Sequence, residues 1–321
     1  MKIYDRGGGT LQRIKNIYGM DLHEAPFGND GIRFTIANSS GEGVITVFNV
    51  YEGIHVVFND IHMEFYKSNG QFESNIIEIN HCFVGRSEYL CDDRNIAYIS
   101  EGDLSISDLK FDKNDYSYFP TKHYHGVSIF LSYDKLKENK LLKEFGIDLN
   151  KVYRLVSNLK VKIYRSDERL EHIFYEFYHA ENNFMKEYLR IKVLELLLFI
   201  TNLDWEKEEI KKSYLTKKQV IVIKRIKNLL VRDLTVHYTI DELSKRFKIS
   251  PTSLKTQFKE LYGDSLYGYV KKIKLEKSKE LLIEGKLSIA EIALEIGYLN
   301  PAKFSSAFKK EYGVSPSKFK V

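Results

Sequence analysis

One pattern occurs twice in the last quarter of the chain. Thr239-Ile-Asp-Glu242 leads through Leu243 and Phe247 to Ser250-Pro251, Leu254, Phe258-Lys259, Tyr262-Gly263 and Ser265. Ser288-Ile-Ala-Glu291 leads through Ile292 and Ile296 to Asn300-Pro301, Phe304, Phe308-Lys309, Tyr312-Gly313 and Ser315. The copies stand 49 residues apart at their first residue (239 and 288) and 50 apart at the proline (251 and 301). The second copy therefore carries one extra residue in its turn. Matched caps and matched apolar spacing restrict the fold more than any single motif.

Each copy reads as helix, tight turn, helix. Thr239-x-x-Glu242 and Ser288-x-x-Glu291 are capping boxes, in which a hydroxyl and a carboxylate satisfy the free amides at a helix start. Pro251 and Pro301 follow the N-cap residues Ser250 and Asn300, at the first helical position that proline favours. Leu254/Phe258 and Phe304/Phe308 are i,i+4 pairs on one buried face. Gly263 and Gly313 suit a left-handed helix end. A short helix sharply turned into a second is the helix-turn-helix plan, whose second helix enters the DNA major groove.

On these residues, Lys217–Val321 resembles the DNA-binding domain of the AraC/XylS family of bacterial transcription regulators. The carrying residues are the double repeat, Ile292-Ala293-x-x-Ile296-Gly297-Tyr298, and the run Phe304-x-x-x-Phe308-Lys309-Lys310-x-Tyr312-Gly313-x-Ser315-Pro316-x-x-Phe319. The resemblance covers about a third of the chain. It implies double-stranded promoter DNA and RNA polymerase as partners, a homodimer, and activation of transcription.

Charge divides the chain the same way. Residues 217–321 hold 22 Lys and Arg against 11 Asp and Glu, a net +11, while 1–216 hold 27 against 33, a net −6. A basic third on an acidic body is the electrostatic footprint of a nucleic-acid module joined to another domain. Two cysteines, Cys82 and Cys91, are too few for a disulfide framework and match no zinc pattern; they are either buried thiols or a redox pair across a hairpin. No apolar run has membrane-spanning length, and the start lacks the pattern of a signal peptide, so a cytoplasmic protein is expected.

Residues 30–133 read as short β-branched and aromatic strands bounded by Gly, Asn and Asp, which suggests a small barrel or jelly roll. Gly85-Arg86-x-Glu88-x-Leu90 and Ile99-x-x-Gly102-Asp103-Leu104 look like the cupin-like sensing domain that many regulators of this family carry. A barrel of that size encloses one small ligand. The candidate effector residues are Glu78, Arg86, Glu88, Tyr89, Tyr98, Tyr118, His123 and His125. Alternation puts Arg86 with Glu88, and His123 with His125, on common faces. Arg86 and Glu88 either orient a polar effector or form a surface cross-strand pair. His123-Tyr-His125 invites a metal reading, but the following stretch supplies neither the carboxylate nor the further histidine such sites need. No metal, cofactor or catalytic constellation is expected.

Residues 134–212 switch to helical spacing. Asp134–Phe145 is predicted as one helix. Leu170, Ile173, Phe174, Phe177 and Tyr178 form a stripe, and Tyr188–Ile200 is apolar nearly all round. So apolar a helix needs burial from several sides, against its own sheet or a partner subunit. Gly7–Gly9 and Leu11–Met20 read as a flexible start and a short helix or arm, and Asp204–Ser213 as a charged linker helix or hinge.

The expected architecture is thus α+β: a cupin-like effector domain over 1–133, a helical dimerisation segment and linker over 134–212, and an all-α double helix-turn-helix domain over 213–321. A long helix, Ser265–Ile283, joins the two units with a basic side of Lys271, Lys272, Lys274, Lys277 and Lys279. Nineteen residues span ~28 Å, of the order of the ~34 Å between successive major grooves. The candidate DNA-facing residues are Thr252, Ser253, Lys255, Thr256 and Lys259, then Ala302, Lys303, Ser305, Ser306, Lys309 and Lys310, with Lys271 and Lys272 on the connector. The family often places arginine where Thr256 and Ser306 stand. Arginine makes the bidentate guanine contact and these hydroxyls do not, so an A·T-rich site read partly by shape is expected. The rival reading is a cupin-type metal-dependent enzyme with a DNA-binding tail.

Overall fold

The computed structural model describes residues 23–28, 31–67, 75–91, 94–109, 116–157, 161–165, 167–180, 184–205 and 214–319. The expected flexible start, the segment Leu11–Met20 and residues 206–213 of the linker lie outside them. The chain divides into two compact units, Met1–Tyr214 and Leu215–Val321.

Among the described residues the first unit begins with the strands β1 (His23–Phe27), β2 (Gly31–Asn38), β3 (Gly41–Tyr51), β4 (Ile54–His62), β5 (Phe65–Lys67), β6 (Ile76–Leu90), β7 (Asn95–Ser100), β8 (Leu104–Asp108), β9 (Tyr116–Tyr118) and β10 (Tyr124–Ser132). Ser39-Ser40 and Glu52-Gly53 are two-residue hairpin turns. The antiparallel sheet runs β1-β2-β3-β4-β10-β6-β7, with β8 paired to β6 and β5–β9 a separate ribbon. β10 lies between β4 and β6, with Ser128 opposite both Val57 and Asn80.

Side-chain alternation splits the sheet into two faces. Val56, Ile77, Ile79, Val127 and Ile129 point to the helices, and Phe34, Val57, Ile61, Tyr124 and Phe130 point to a second cluster on the other side. β6 breaks its own alternation. Phe83 is an extra residue between the pairs Cys82–Gly126 and Val84–His125, which is a β-bulge. Two residues later Gly85 has φ +91°, and a Cβ there would lie 1.8 Å from the His123 carbonyl oxygen. Only glycine fits that crossing.

The helical part differs from expectation in two places. The predicted helix Asp134–Phe145 is two short helices, α1 (Tyr133–Leu136) and α2 (Lys140–Glu144). Asn139 interrupts it because its side chain accepts from the Leu142 amide (3.2 Å) and starts a new helix. After α3 (Leu149–Val156), the short strand β11 (Val161–Tyr164) pairs with β8, so 134–212 is not purely helical. The helices α4 (Glu168–Tyr178) and α5 (Met185–Asn202) then cover the sheet. Leu170, Phe174, Phe177, Leu189, Val193, Leu196 and Ile200 share one core with the strands. The apolar helix is thus buried on its own sheet, except at Phe184, the residue just before its start, and along Ile191 and Leu198. These recur every seven residues and stay 69, 66 and 42% exposed.

From Lys217 onward the second unit is built of helices: α6 (Lys217–Arg232), α7 (Ile240–Phe247), α8 (Pro251–Tyr262), α9 (Leu266–Glu284), α10 (Ile289–Glu295) and α11 (Pro301–Tyr312). Both predicted capping boxes form: Thr239 with Glu242 and Ser288 with Glu291, each with two reciprocal bonds of 2.7–3.3 Å. A third, Thr216 with Gln219, opens α6. Leu254 and Phe258 are buried under the first copy, and Phe304, Phe308, Ile292, Ala293, Ile296 and Leu275 form the core of the second. The turns differ as the repeat offset requires. The first copy ends α7 on Lys248 at φ +52°; the second places Gly297 at φ +74°, where a Cβ would lie 2.3 Å from the Leu234 carbonyl oxygen. No helix among the described residues is long and apolar enough to cross a membrane.

Candidate DNA interface and ligand site

The two second helices, α8 and α11, each bury one face and present the other. On α8 Thr252, Lys255, Thr256 and Lys259 are exposed, while Ser253 is half-buried and accepts a bond from the Ser250 hydroxyl (2.9 Å). On α11 Ala302, Lys303, Ser306, Lys309 and Lys310 are exposed and Ser305 is half-buried. At the helix starts Ser250 accepts from the Ser253 amide (3.1 Å), and Asn300 accepts from the amides of Ala302 (2.8 Å) and Lys303 (3.3 Å). Each exposed face is therefore a capped surface of short hydroxyls and lysines.

The connector α9 forms as expected, but four of the five lysines on its basic side have partners within the unit. Lys272 lies 3.2 Å from Asp264 and Lys277 2.8 Å from Glu280. Lys274 donates to the Gly297 carbonyl (3.4 Å) and sits over the Tyr298 ring, and its burial pulls its pKa down. Lys279 lies over Tyr312, 4.9 Å from the ring centre. Lys271 is half-buried. Sequence reading missed these pairings, and it also missed an open cleft of about 570 Å³ lined by Arg225 and Arg232 of α6 and by Arg246, Phe247 and Lys248. The seven-residue spacing of the α6 arginines, two turns on one face, was the available signal.

Residues 243–320 match the model of the family described as "Helix-turn-helix domain". The C-terminal unit is a helix-turn-helix domain of the AraC type. The chain is 36% identical over 81 residues to the xylose operon regulatory protein of Escherichia coli, a match covering 25% of this chain and 21% of that protein. A longer match, 24% identical over 185 residues, is to the Msm operon regulatory protein of Streptococcus mutans, covering 58% of this chain and 62% of the relative. The chain thus spans less than two thirds of either relative. Among solved structures, the C-terminal domain of AraT, a response regulator from Geobacillus stearothermophilus, is 33% identical over 30% of this chain and 81% of its own, with a TM-score of 0.29.

In the first unit the eight candidate effector residues separate into groups. Tyr89 turns to the inner face, where Asn80 donates to its hydroxyl (2.7 Å). Tyr124 (2.7 Å) and Ser128 (3.1 Å) donate to the same Asn80 side chain, and Asn59 donates to Ser128 (3.2 Å). Glu78 lies beside this network and accepts from Ser107 (3.5 Å). Burial and then the Glu78 charge hold the Tyr89 hydroxyl well above its usual range, so it remains a neutral donor. Tyr98 is fully buried and donates to Glu88 (2.9 Å); Tyr118 also lies near Glu88, and its pKa is raised by burial first and that charge second. Arg86 is half-buried. Asn59, Asn80, Tyr124 and Ser128 were missed, although polar residues inside β-branched strands mark them.

His123 and His125 stand on the helix-facing side. His123 stacks on His62 (centroids 4.5 Å apart), and His125 meets Phe83 and Tyr178 edge-on. The carboxylate and further histidine that the following stretch lacks come instead from β4, as Asp60 and His62. Cys82 and Cys91 are free thiols, Cys82 within β6 and Cys91 directly after it, so they do not face each other across a hairpin.

Proposed function

We propose that the protein is a transcription regulator that sets α8 and α11 into successive major grooves of double-stranded promoter DNA. The observation that carries this reading is the duplicated helix pair with two capped, hydroxyl- and lysine-bearing faces. The +11 charge of this region supplies the phosphate attraction. The two relatives named as operon regulatory proteins support the regulatory part. Arg225, Arg232, Arg246 and Lys248 add a cationic cleft near the first copy.

The first unit is the sensor in this reading. Its polar network of Asn80, Tyr89, Tyr124 and Ser128, with Glu78 at the edge, takes a small effector bearing hydrogen-bonding groups. Phe184, Ile191 and Leu198 keep the seven-residue interval of a helix seam, and a second copy of the chain covers them. The protein acts in the cytoplasm as an activator and contacts RNA polymerase. Selection from random DNA tests the DNA reading. The wild type should return A·T-rich half-sites, and Thr256→Arg or Ser306→Arg should each introduce guanine at one position of one half-site. A wild-type consensus dominated by G·C at both half-sites, or arginine variants with unchanged preference, would reject the assigned reading faces.

A further inference from the structure

β4 and β10 run antiparallel with Asp60 opposite His125 and Ile61 opposite Tyr124. Alternation then brings Asp60, His62, His123 and His125 to one face as a two-by-two patch. Ligand-capable atoms of Asp60, His62 and His123 all lie within 4.8 Å of one another. Asp60 and His62 are already 2.9 Å apart, and the His62 and His123 rings stand parallel at 4.5 Å. Zinc bonds to nitrogen and oxygen of about 2.0–2.2 Å place tetrahedral ligands ~3.4 Å apart, so modest side-chain rotation closes the shell.

The backbone around the patch is fixed. The Lys122 amide donates to the Phe119 carbonyl (2.9 Å), and Thr121 donates to the His123 carbonyl (2.9 Å). Asp60 and His62 are exposed and His123 is half-buried, so an ion reaches the patch from solvent. Two imidazoles and one carboxylate, without thiolate, suit late first-row divalent ions.

We propose that Asp60, His62 and His123 form a binding site for a divalent transition metal, zinc foremost, on the helix-facing surface of the β4–β10 pair. The ion clips the two strands together through three protein ligands and keeps solvent in its fourth position. His125, opposite Asp60, orients that carboxylate. The site lies outside the inner polar network and does not depend on the DNA-binding reading.

The test uses the untagged 321-residue chain stripped with chelator. Zinc titration by calorimetry should show one saturable equivalent, and cobalt should give the visible absorption of a low-coordinate histidine–carboxylate site. Asp60→Asn, His62→Asn and His123→Asn should each weaken zinc binding by more than the about 10–100-fold typical of losing an outer partner, and His125→Gln by no more than that. The double variant His62→Asn/His123→Asn should lose the cobalt bands while keeping the wild-type circular dichroism. If the double variant misfolds, Asp60→Asn, which preserves side-chain shape, carries the test. Wild-type affinity in the single variants, cobalt bands that survive loss of both histidines, or no saturable binding would each overturn the site.

Discussion

His81 makes the stability of the first unit depend on pH in a way that one substitution isolates. Its ring is 3% exposed and stacked on Phe174 of α4, with centroids 3.9 Å apart. Nδ1 lies 3.0 Å from the Tyr178 hydroxyl, while Nε2 is buried with no hydrogen-bond partner among the described residues. A charged imidazole would bury an unpaired N–H, so burial pushes the pKa from 6.5 down to about 3. Between those values the unfolded chain binds the proton and the folded chain does not. Stability is therefore complete above the unfolded value and falls as pH drops through it. Linkage gives a loss of about 2 kcal/mol from this group between about pH 7.5 and about pH 5.

Trp205 is the single tryptophan and belongs to the same core, so its fluorescence in urea follows the first unit alone. The unfolding free energy is measured at both pH values for wild type and His81→Phe. The phenyl ring keeps the stack and cannot take a proton. The loss on acidification should be about 2 kcal/mol smaller in the variant, whatever its stability at neutral pH. Equal losses within about 0.5 kcal/mol would refute a buried neutral His81.

Two further outcomes concern the second unit. Gly297→Ala forces a positive φ on alanine and drives its methyl into the Leu234 carbonyl, so it should destabilise the unit by about 2 kcal/mol or more, read by circular dichroism melting. Lys255→Ala and Lys303→Ala should each lower the salt slope of DNA binding by about 0.9, read by titration at several salt concentrations. Lys272→Ala, whose ammonium pairs with Asp264, should change the slope less.

What was legible in the sequence was local. A capping box lies within four residues, and a proline at the first helical position within two, so both copies of the helix pair could be placed to within a residue or so. Sites assembled across the sheet were not legible. Asp60 and His62 meet His123 only through the β4–β10 register, about sixty residues away along the chain. The bulge at Phe83 changes the phase of β6, so that Tyr89, rather than an even-numbered residue, returns to Asn80. Counting alternate residues from Glu78 therefore assigns the far half of the strand to the wrong face. The connector lysines show the same limit: spacing marks a basic side, but Asp264, Glu280 and the Tyr312 ring decide which charges are already matched.

The position of β10 also orders events during synthesis. β4 and β6 are both made before it, and β10 later fills the gap between them. Until residue 132 has left the ribosome, two long β-branched strands present unpaired edges to each other and to neighbouring chains. The nascent first unit is then an open sheet seeking its middle strand, and a ribosome paused shortly before Tyr124 would hold it at its most association-prone length. A synthetic β10 peptide would act on that intermediate as a chaperone, by supplying the missing strand.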